Sequence, residues 1–356
     1  MLSATRLLCL LCFIFCSLSG WGQKVALVLS GGGAKGLAHV GVLKVLEENH
    51  IPIDYVVGTS MGGVIGGFYA AGYSPQEIEQ LVLDPNFQEW VDGELGNDYN
   101  FYYTKRNDNA SILNLNLAVD TSVNLNSNLA NDFAINYALS ELLAQPAQVA
   151  DYEFDSLFVP YRAVAADIFT QKVEVLKGGR LNEALRATLS VPFFFRPLKV
   201  SDKYLFDGGI YNNFPIDIAR EEFAPDVIIG VNVSSKVYED YPYEEDEQLI
   251  QESLLSMLLD KPDVKQLTDK DIYLEPNIKP YTSLDFEDVQ ALVDSGYVEA
   301  MSRINEIKTK IKRSRSCDEV AEKRHDFILQ AAPLNFKKIK FTGFSQAQQR
   351  YLRRLF

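Results

Sequence analysis

A serine set among glycines, Gly58-Thr59-Ser60-Met61-Gly62, is the strongest chemical signal in the chain. Residues 55–57 before it read as a short buried strand, and residues 64–71 after it as a small-residue helix. On such a strand-to-helix turn a serine hydroxyl projects away from the sheet, and Gly58 and Gly62 let the neighbouring backbone pass closely. The N–H groups opening the helix favour negative charge beside Ser60. These are the conditions for a nucleophile.

A second glycine cluster, Gly31-Gly32-Gly33-Ala34-Lys35-Gly36, ends the aliphatic run 24–29 and opens the helically spaced run 37–48. Two chemistries compete for it. Read as Gly-x-Gly-x-x-Gly, the loop would hold a dinucleotide pyrophosphate, with an acid about twenty residues on for the ribose; Asp54 is the residue on offer. Read as an oxyanion hole, its amides would stabilise a tetrahedral intermediate, each donor being worth about 3 kcal/mol. Asp54 precedes the second strand instead of ending it, and the oxyanion reading lets one site account for both loops. A Walker A loop is excluded, because Lys35 is followed by Gly36 and not by Ser or Thr.

An activated serine needs a base. A Ser-Asp-His enzyme of the α/β-hydrolase order requires a histidine after the acid, and beyond the leader the chain has only His39, His50 and His325. His39 falls inside the first helix, His50 at its end, and His325 in a polar run. Asp207-Gly208-Gly209, after the apolar residues 204–206, instead presents a carboxylate at a strand end, where α/β enzymes hold catalytic side chains. The competing reading is a turn aspartate that caps its own backbone.

Around these residues two strand-turn-helix units in succession predict a parallel sheet covered by helices. Further strands are expected at 161–167, 172–175, 204–206 and 227–233, and helices at 131–143, 181–190, 217–222, 248–259 and 286–311. The stretch 93–123, rich in Asn, Asp and Tyr, reads as strands or a loop over the core, and 238–247 as an acidic loop. The fold class is therefore α/β, a mainly parallel central sheet flanked by helices.

In these motifs the sequence resembles the patatin-like phospholipases, lipid acyl hydrolases that work with a serine and aspartate dyad. The carriers are Gly31 to Gly36, the Ser60 pentapeptide, Leu185-Arg186-Ala187-Thr188-Leu189-Ser190-Val191-Pro192, and Asp207-Gly208-Gly209. The resemblance implies Ser60 as nucleophile, Asp207 as general base, the amides of Gly31, Gly32, Gly33 and Ala34 as oxyanion hole, and Lys35 as reinforcement of that loop. It implies a lipid or phospholipid substrate and a membrane surface. At Phe193-Phe194-Phe195 the chain departs from the family pattern, with bulky aromatics in a turn that often contains glycine. A nucleotide-binding protein and a catalytically silent lipid-binding module remain as alternatives.

The chain has 356 residues, 47% of them hydrophobic, enough for a substantial core. Residues 1–22 read as a secretory signal peptide: Arg6, an apolar run over 7–15, then Ser17, Ser19, Gly20 and Gly22. Export is expected, to the outer membrane, the periplasm or the medium; an uncleaved anchor is the alternative. Cys9, Cys12 and Cys16 leave with the leader, so Cys317 remains without an internal disulfide and with no histidine or cysteine partner in view. A net charge of −14 argues against general nucleic-acid binding. Sparse histidines and the lack of a calcium loop argue against a metal, and the chemistry requires no cofactor. The basic run 308–315 reads as the solvated end of a helix. The hydrolase domain is set at 24–312 and a linker at 313–335. Residues 336–356 read as a strand, a turn at Thr342-Gly343 and a helix over 346–355; by resemblance they would open a polypeptide-transport-associated domain preceding an outer-membrane barrel.

Overall fold

Valine, isoleucine and leucine crowd the central strands because helices cover both faces of the sheet they form. The computed structural model describes residues 22–93, 114–117, 123–126, 131–192, 194–234, 266–283, 285–332 and 340–355. Its strands are β1 (Val25–Leu29), β2 (Tyr55–Thr59), β3 (Asn114–Leu117), β4 (Val123–Asn126), β5 (Tyr161–Asp167), β6 (Lys172–Leu176), β7 (Leu198–Val200), β8 (Lys203–Asp207), β9 (Val227–Val231) and β10 (Ile272–Leu274). β3 and β4 make a separate antiparallel pair. In the main sheet β10, β9, β1, β2 and β5 lie side by side and parallel. At its far side β6 and β8 each pair antiparallel with β5, and β7 pairs antiparallel with β8.

The helices are α1 (Ala38–Glu48), α2 (Ser60–Ala70), α3 (Pro75–Leu83), α4 (Pro85–Asp92), α5 (Phe133–Val149), α6 (Leu181–Thr188), α7 (Ile216–Phe223), α8 (Val289–Ser302), α9 (Ile304–Lys310), α10 (Cys317–Leu329) and α11 (Gln346–Leu355). The larger core lies on one face, where Leu27, Leu29, Leu43, Ile65, Leu143 and Leu181 are buried together. A smaller core on the other face joins Ala26, Val28, Val57 and Val164 to Phe214 and Ile216 under α7. Alternate residues of β1 thus point to opposite cores, as the period of two requires.

The pairing of β5 determines how the site is built. A strand has two edges. β6 takes Ala163–Asp167 of β5, and β2 takes Tyr161–Val164, so these partners must lie on opposite edges. β8 takes Ala165–Asp167 and is likewise excluded from the edge of β6. β2 and β8 therefore share one edge end to end, running toward each other. β2 stops at Thr59 opposite Val164, and β8 stops at Asp207 opposite Ala165.

Several expectations change here. Asp207 does end a strand, but an antiparallel one, so it reaches the carboxyl end of the parallel strands from the opposite direction. Residues 313–335 are not a linker throughout: Ser316 and Glu319 form a capping box for α10, whose Val320, Arg324 and Phe327 are buried on the core. Cys317 has a histidine beside it, its Sγ 3.5 Å from His50 Nδ1, because the start of α10 packs on the end of α1. The basic run is not merely a solvated helix end: Arg313 and Arg315 pair with the distant Asp54, and Lys310 with Glu306 one turn away. The helix over 346–355 is present as α11, whereas residues 1–21, most of the stretch 93–123, the acidic loop 238–247, the helix 248–259 and most of the strand 336–341 lie outside the described residues. Among the described residues no helix is long and apolar enough to cross a membrane.

Candidate active site

Ser60 begins α2 with a φ of 53°, a left-handed backbone that a non-glycine residue adopts only under constraint. The constraint is visible. Its N–H donates to Thr188 Oγ1 at 2.8 Å, and the Thr188 hydroxyl donates to the Val164 carbonyl at 2.5 Å. Val164 stands at the level where β2 and β8, running toward each other, both end, so Thr188 fills the break in the ladder and holds the serine to it. Beside it, the Thr59 hydroxyl donates to the Asn212 carbonyl at 2.9 Å. A Cβ on Gly58 would stand 2.5 Å from the Gly62 carbonyl oxygen, so this turn admits no side chain there.

The Ser60 hydroxyl donates to Asp207 Oδ2 at 2.6 Å. The other carboxylate oxygen accepts the Gly209 N–H at 2.8 Å, which orients the group, and the Asp207 N–H donates to the Ser190 carbonyl at 2.9 Å. Gly208 and Gly209 open the short 3-10 turn that follows. Asp207 is fully buried and makes no ion pair among the described residues. Burial therefore pushes its carboxyl up to about 7, against the opposing effect of the hydrogen bonds from Ser60 and Gly209. A carboxylate at that value is half ionised at neutral pH and basic enough to take a serine proton in a transition state.

The glycine loop lies directly against this pair, since a Cβ on Gly31 would come 2.9 Å from Ser60 Cβ. Its four amides are not equivalent. The Gly31 N–H donates to the Asn213 carbonyl at 3.1 Å and the Ala34 N–H to the Ser283 carbonyl at 2.8 Å. Those bonds shape the loop, and they correct the four-donor expectation: Gly32 and Gly33 alone of the four have N–H groups without a backbone acceptor among the described residues. Lys35 is buried in the 3-10 turn that follows, and Gly36 packs against Met61.

The histidines serve other roles. His39 is buried with Nε2 2.9 Å from the Ser30 carbonyl, and burial lowers its pKa to about 4, so it is neutral at pH 7. His50 lies by Cys317, and His325 is exposed on α10. Asp54, the acid the nucleotide reading needs, sits at the amino end of β2. There it accepts the Val25 N–H at 2.9 Å and pairs with Arg313 and Arg315, the full length of the strand away from the glycine loop. Among the described residues no group of three His, Cys, Asp or Glu side chains could hold a metal.

Sequence reasoning missed the support. Thr188 belongs to a motif the sequence showed, yet a threonine at the end of an amphipathic helix carries no local mark of what it bonds. Ser190 acts through its backbone, and its hydroxyl is held 2.7 Å from Arg186 Nη1. Arg186 itself lies over the Phe195 ring, 4.4 Å from its centroid, which gives a role to one of the three aromatics in that turn.

A family model for patatin-like phospholipase matches residues 27–220. The chain is 29% identical over 301 residues to the Caenorhabditis elegans patatin-like phospholipase domain-containing protein ZK370.4, covering 77% of this chain and 20% of that protein. It is 32% identical over 217 residues to human patatin-like phospholipase domain-containing protein 6, covering 60% of this chain and 14% of that protein. The chain thus spans a fifth or less of the length of these relatives. Among solved structures, VipD from Legionella pneumophila aligns with a TM-score of 0.44 at 14% identity, over 80% of this chain and 67% of that one. With the family model covering more than half of its length, the chain belongs to the patatin-like phospholipase family.

Proposed function

We propose that the chain is a lipid acyl hydrolase in which Ser60 and Asp207 act as a dyad. The observation that carries the reading is the 2.6 Å hydrogen bond from the Ser60 hydroxyl to a fully buried carboxylate whose pKa is raised to about 7. Asp207 takes the proton as Ser60 Oγ attacks the ester carbonyl. The Gly32 and Gly33 amides, with the N-terminus of α2 behind Ser60, receive the developing oxyanion. Collapse of the intermediate breaks the ester bond, and the leaving alkoxide takes the proton from Asp207. Water then repeats the sequence on the acyl-enzyme, giving up its proton to Asp207 and freeing the fatty acid and the serine. Family membership supports a lipid substrate, and the geometry of Ser60 and Asp207 supports the two-step route.

A fluorophosphonate probe tests the reading. The folded chain should label at Ser60, Ser60→Ala should not, and a folded chain that stays unlabelled would overturn the proposal. Turnover of phospholipids, lysophospholipids and acylglycerols, with Ser60→Ala as blank, then defines the substrate. Export through the apolar leader is part of the proposal and rests on sequence; recovery of the protein from the cytoplasm of its host with Met1 intact would remove it.

A further inference from the structure

The antiparallel side of the sheet rises past the dyad and ends in an exposed aromatic pair. β5 continues two residues beyond Ala165, the level at which Ser60 and Asp207 meet, and then turns through residues 168–171. At about 3.3 Å per residue the turn stands roughly 10 Å further out at the same end of the sheet. Phe169 at its tip is 76% exposed, the most exposed large apolar side chain among the described residues, and Tyr204 on the neighbouring β8 is 45% exposed. Their rings meet edge to face, with centroids 6.3 Å apart.

This tip is held, not loose. Asp167, itself buried, accepts the N–H groups of Phe169 at 3.0 Å and Thr170 at 3.3 Å, a side-chain turn that fixes the phenylalanine outward. The surrounding charges cancel: Lys203 pairs with Glu174 at 2.7 Å and Lys199 with Asp202 at 2.9 Å, while Lys172 is exposed beside them. In a chain of net charge −14 the tip is thus a patch without a repulsive field. A convex, rigid aromatic tip suits a soft apolar layer better than a protein pocket, and a tyrosine at its base is the side chain that tolerates the boundary between acyl chains and headgroups.

We infer that Phe169 and Tyr204 insert into a zwitterionic lipid surface and seat the Ser60 site over it. The inference rests on the reading of that site as a lipid acyl hydrolase, because only a surface-borne substrate gives the placement a use. Insertion is apolar, so it persists at high salt.

The test uses the full chain with phosphatidylcholine vesicles and, separately, a water-soluble short-chain nitrophenyl ester. Phe169→Ala should lower vesicle partition ~10-fold, and the double substitution with Tyr204→Ala further, as burial of one aromatic predicts. Vesicle hydrolysis should fall in step, while turnover of the soluble ester stays unchanged. Phe169→Trp should bind as the unchanged chain does, with its emission moving to the blue on vesicles. Equal binding by Phe169→Ala, an unmoved tryptophan emission, or binding abolished by salt would each overturn the inference. Failure to turn over the soluble ester would instead sink the hydrolase reading, and vesicle partition would still judge the tip.

Discussion

The two ends of the parallel sheet treat their carboxylates in opposite ways. At the amino end Asp54 is met by Arg313, Arg315 and the Val25 N–H, and nearby Arg162 is bracketed by Asp155 at 2.7 Å and Glu222 at 2.8 Å. At the carboxyl end Asp207 is more deeply buried, yet among the described residues it faces only a hydroxyl and one amide. The first arrangement stabilises ions and ties the chain's later segments to the sheet. The second leaves a carboxylate short of stabilisation, the condition a general base requires. The same contrast holds for backbone: paired amides at one end, and at the other a strained serine and two glycine amides with no backbone acceptor among the described residues.

The sharpest way to break this comparison is to remove the dyad. Ser60→Ala and Asp207→Asn should each lower turnover of a soluble ester by at least ~10^4-fold, and the double variant should be little worse, as the proposed dyad acting as a unit requires. In the unchanged protein kcat/KM should rise with pH to a plateau above about 7, because the reactive form is the ionised Asp207. Stability should move the other way. A carboxyl held near 7 in the fold binds its proton more tightly there than in the unfolded chain, where its value is about 4. The stability this contributes is complete below about 4 and is lost as pH rises through 7. Asp207→Asn escapes that loss, so its melting temperature should exceed that of the unchanged protein at pH 8, with the margin shrinking toward pH 4. On the order of 4 kcal/mol is the upper bound. A variant that melts lower at every pH would show that Asp207 is stabilised in place and that the two ends do not differ as described.

Thr188 sharpens the comparison at one step's remove. Thr188→Val keeps the shape but leaves the Ser60 N–H and the Val164 carbonyl without their hydroxyl. An unmade buried hydrogen bond costs about 1–3 kcal/mol, so kcat/KM should fall ~10- to 100-fold with KM little changed. Thr188→Ser should restore most of it. If the valine variant melts lower yet turns over normally, the hydroxyl supports the fold and not the serine.

Asp54→Asn is the counterpart at the other end. Losing two partly buried arginine partners should cost about 1–3 kcal/mol by denaturant titration. Rate per folded molecule should be unchanged, and a lost rate would mean that the two ends are coupled.

What could be read from the sequence follows the range of the interaction. The Ser60 elbow is local, a strand, a turn and a helix within a few residues, and each piece carries its own glycine or apolar signature. Asp207 could be picked out as a strand-end carboxylate, but its direction of approach could not. That depends on β8 entering the edge of β5 that β2 vacates, which brings together Ser60 and Asp207, 147 residues apart in the chain. The loop of Gly31 to Ala34 was legible as glycine-rich, whereas the division of its amides depends on the carbonyls of Asn213 and Ser283, far along the chain. α10 was missed for a different reason. Its capping box was present, but charged residues outnumber the few that pack, and Arg324 reaches the core by pairing with Glu47 at 2.9 Å.

The smallest expected effect is none, and it concerns the histidines. An acid limb near pH 7 is also where an ordinary histidine titrates, so the pH profile alone does not assign it to Asp207. Position separates the two. α1 carries the chain back from the carboxyl end of the sheet, which leaves His50 at the amino end beside Cys317 and the turn into β2. His325 faces solvent on α10. His39 alone starts near the glycine loop, but with its pKa lowered to about 4 it stays neutral through the whole limb. The double variant His50→Ala with His325→Ala should therefore keep kcat/KM within about twofold and keep the limb where it was, as surface substitutions away from a site do. A limb that disappears with these histidines would give the titration to one of them, and Asp207 would lose its place as the base.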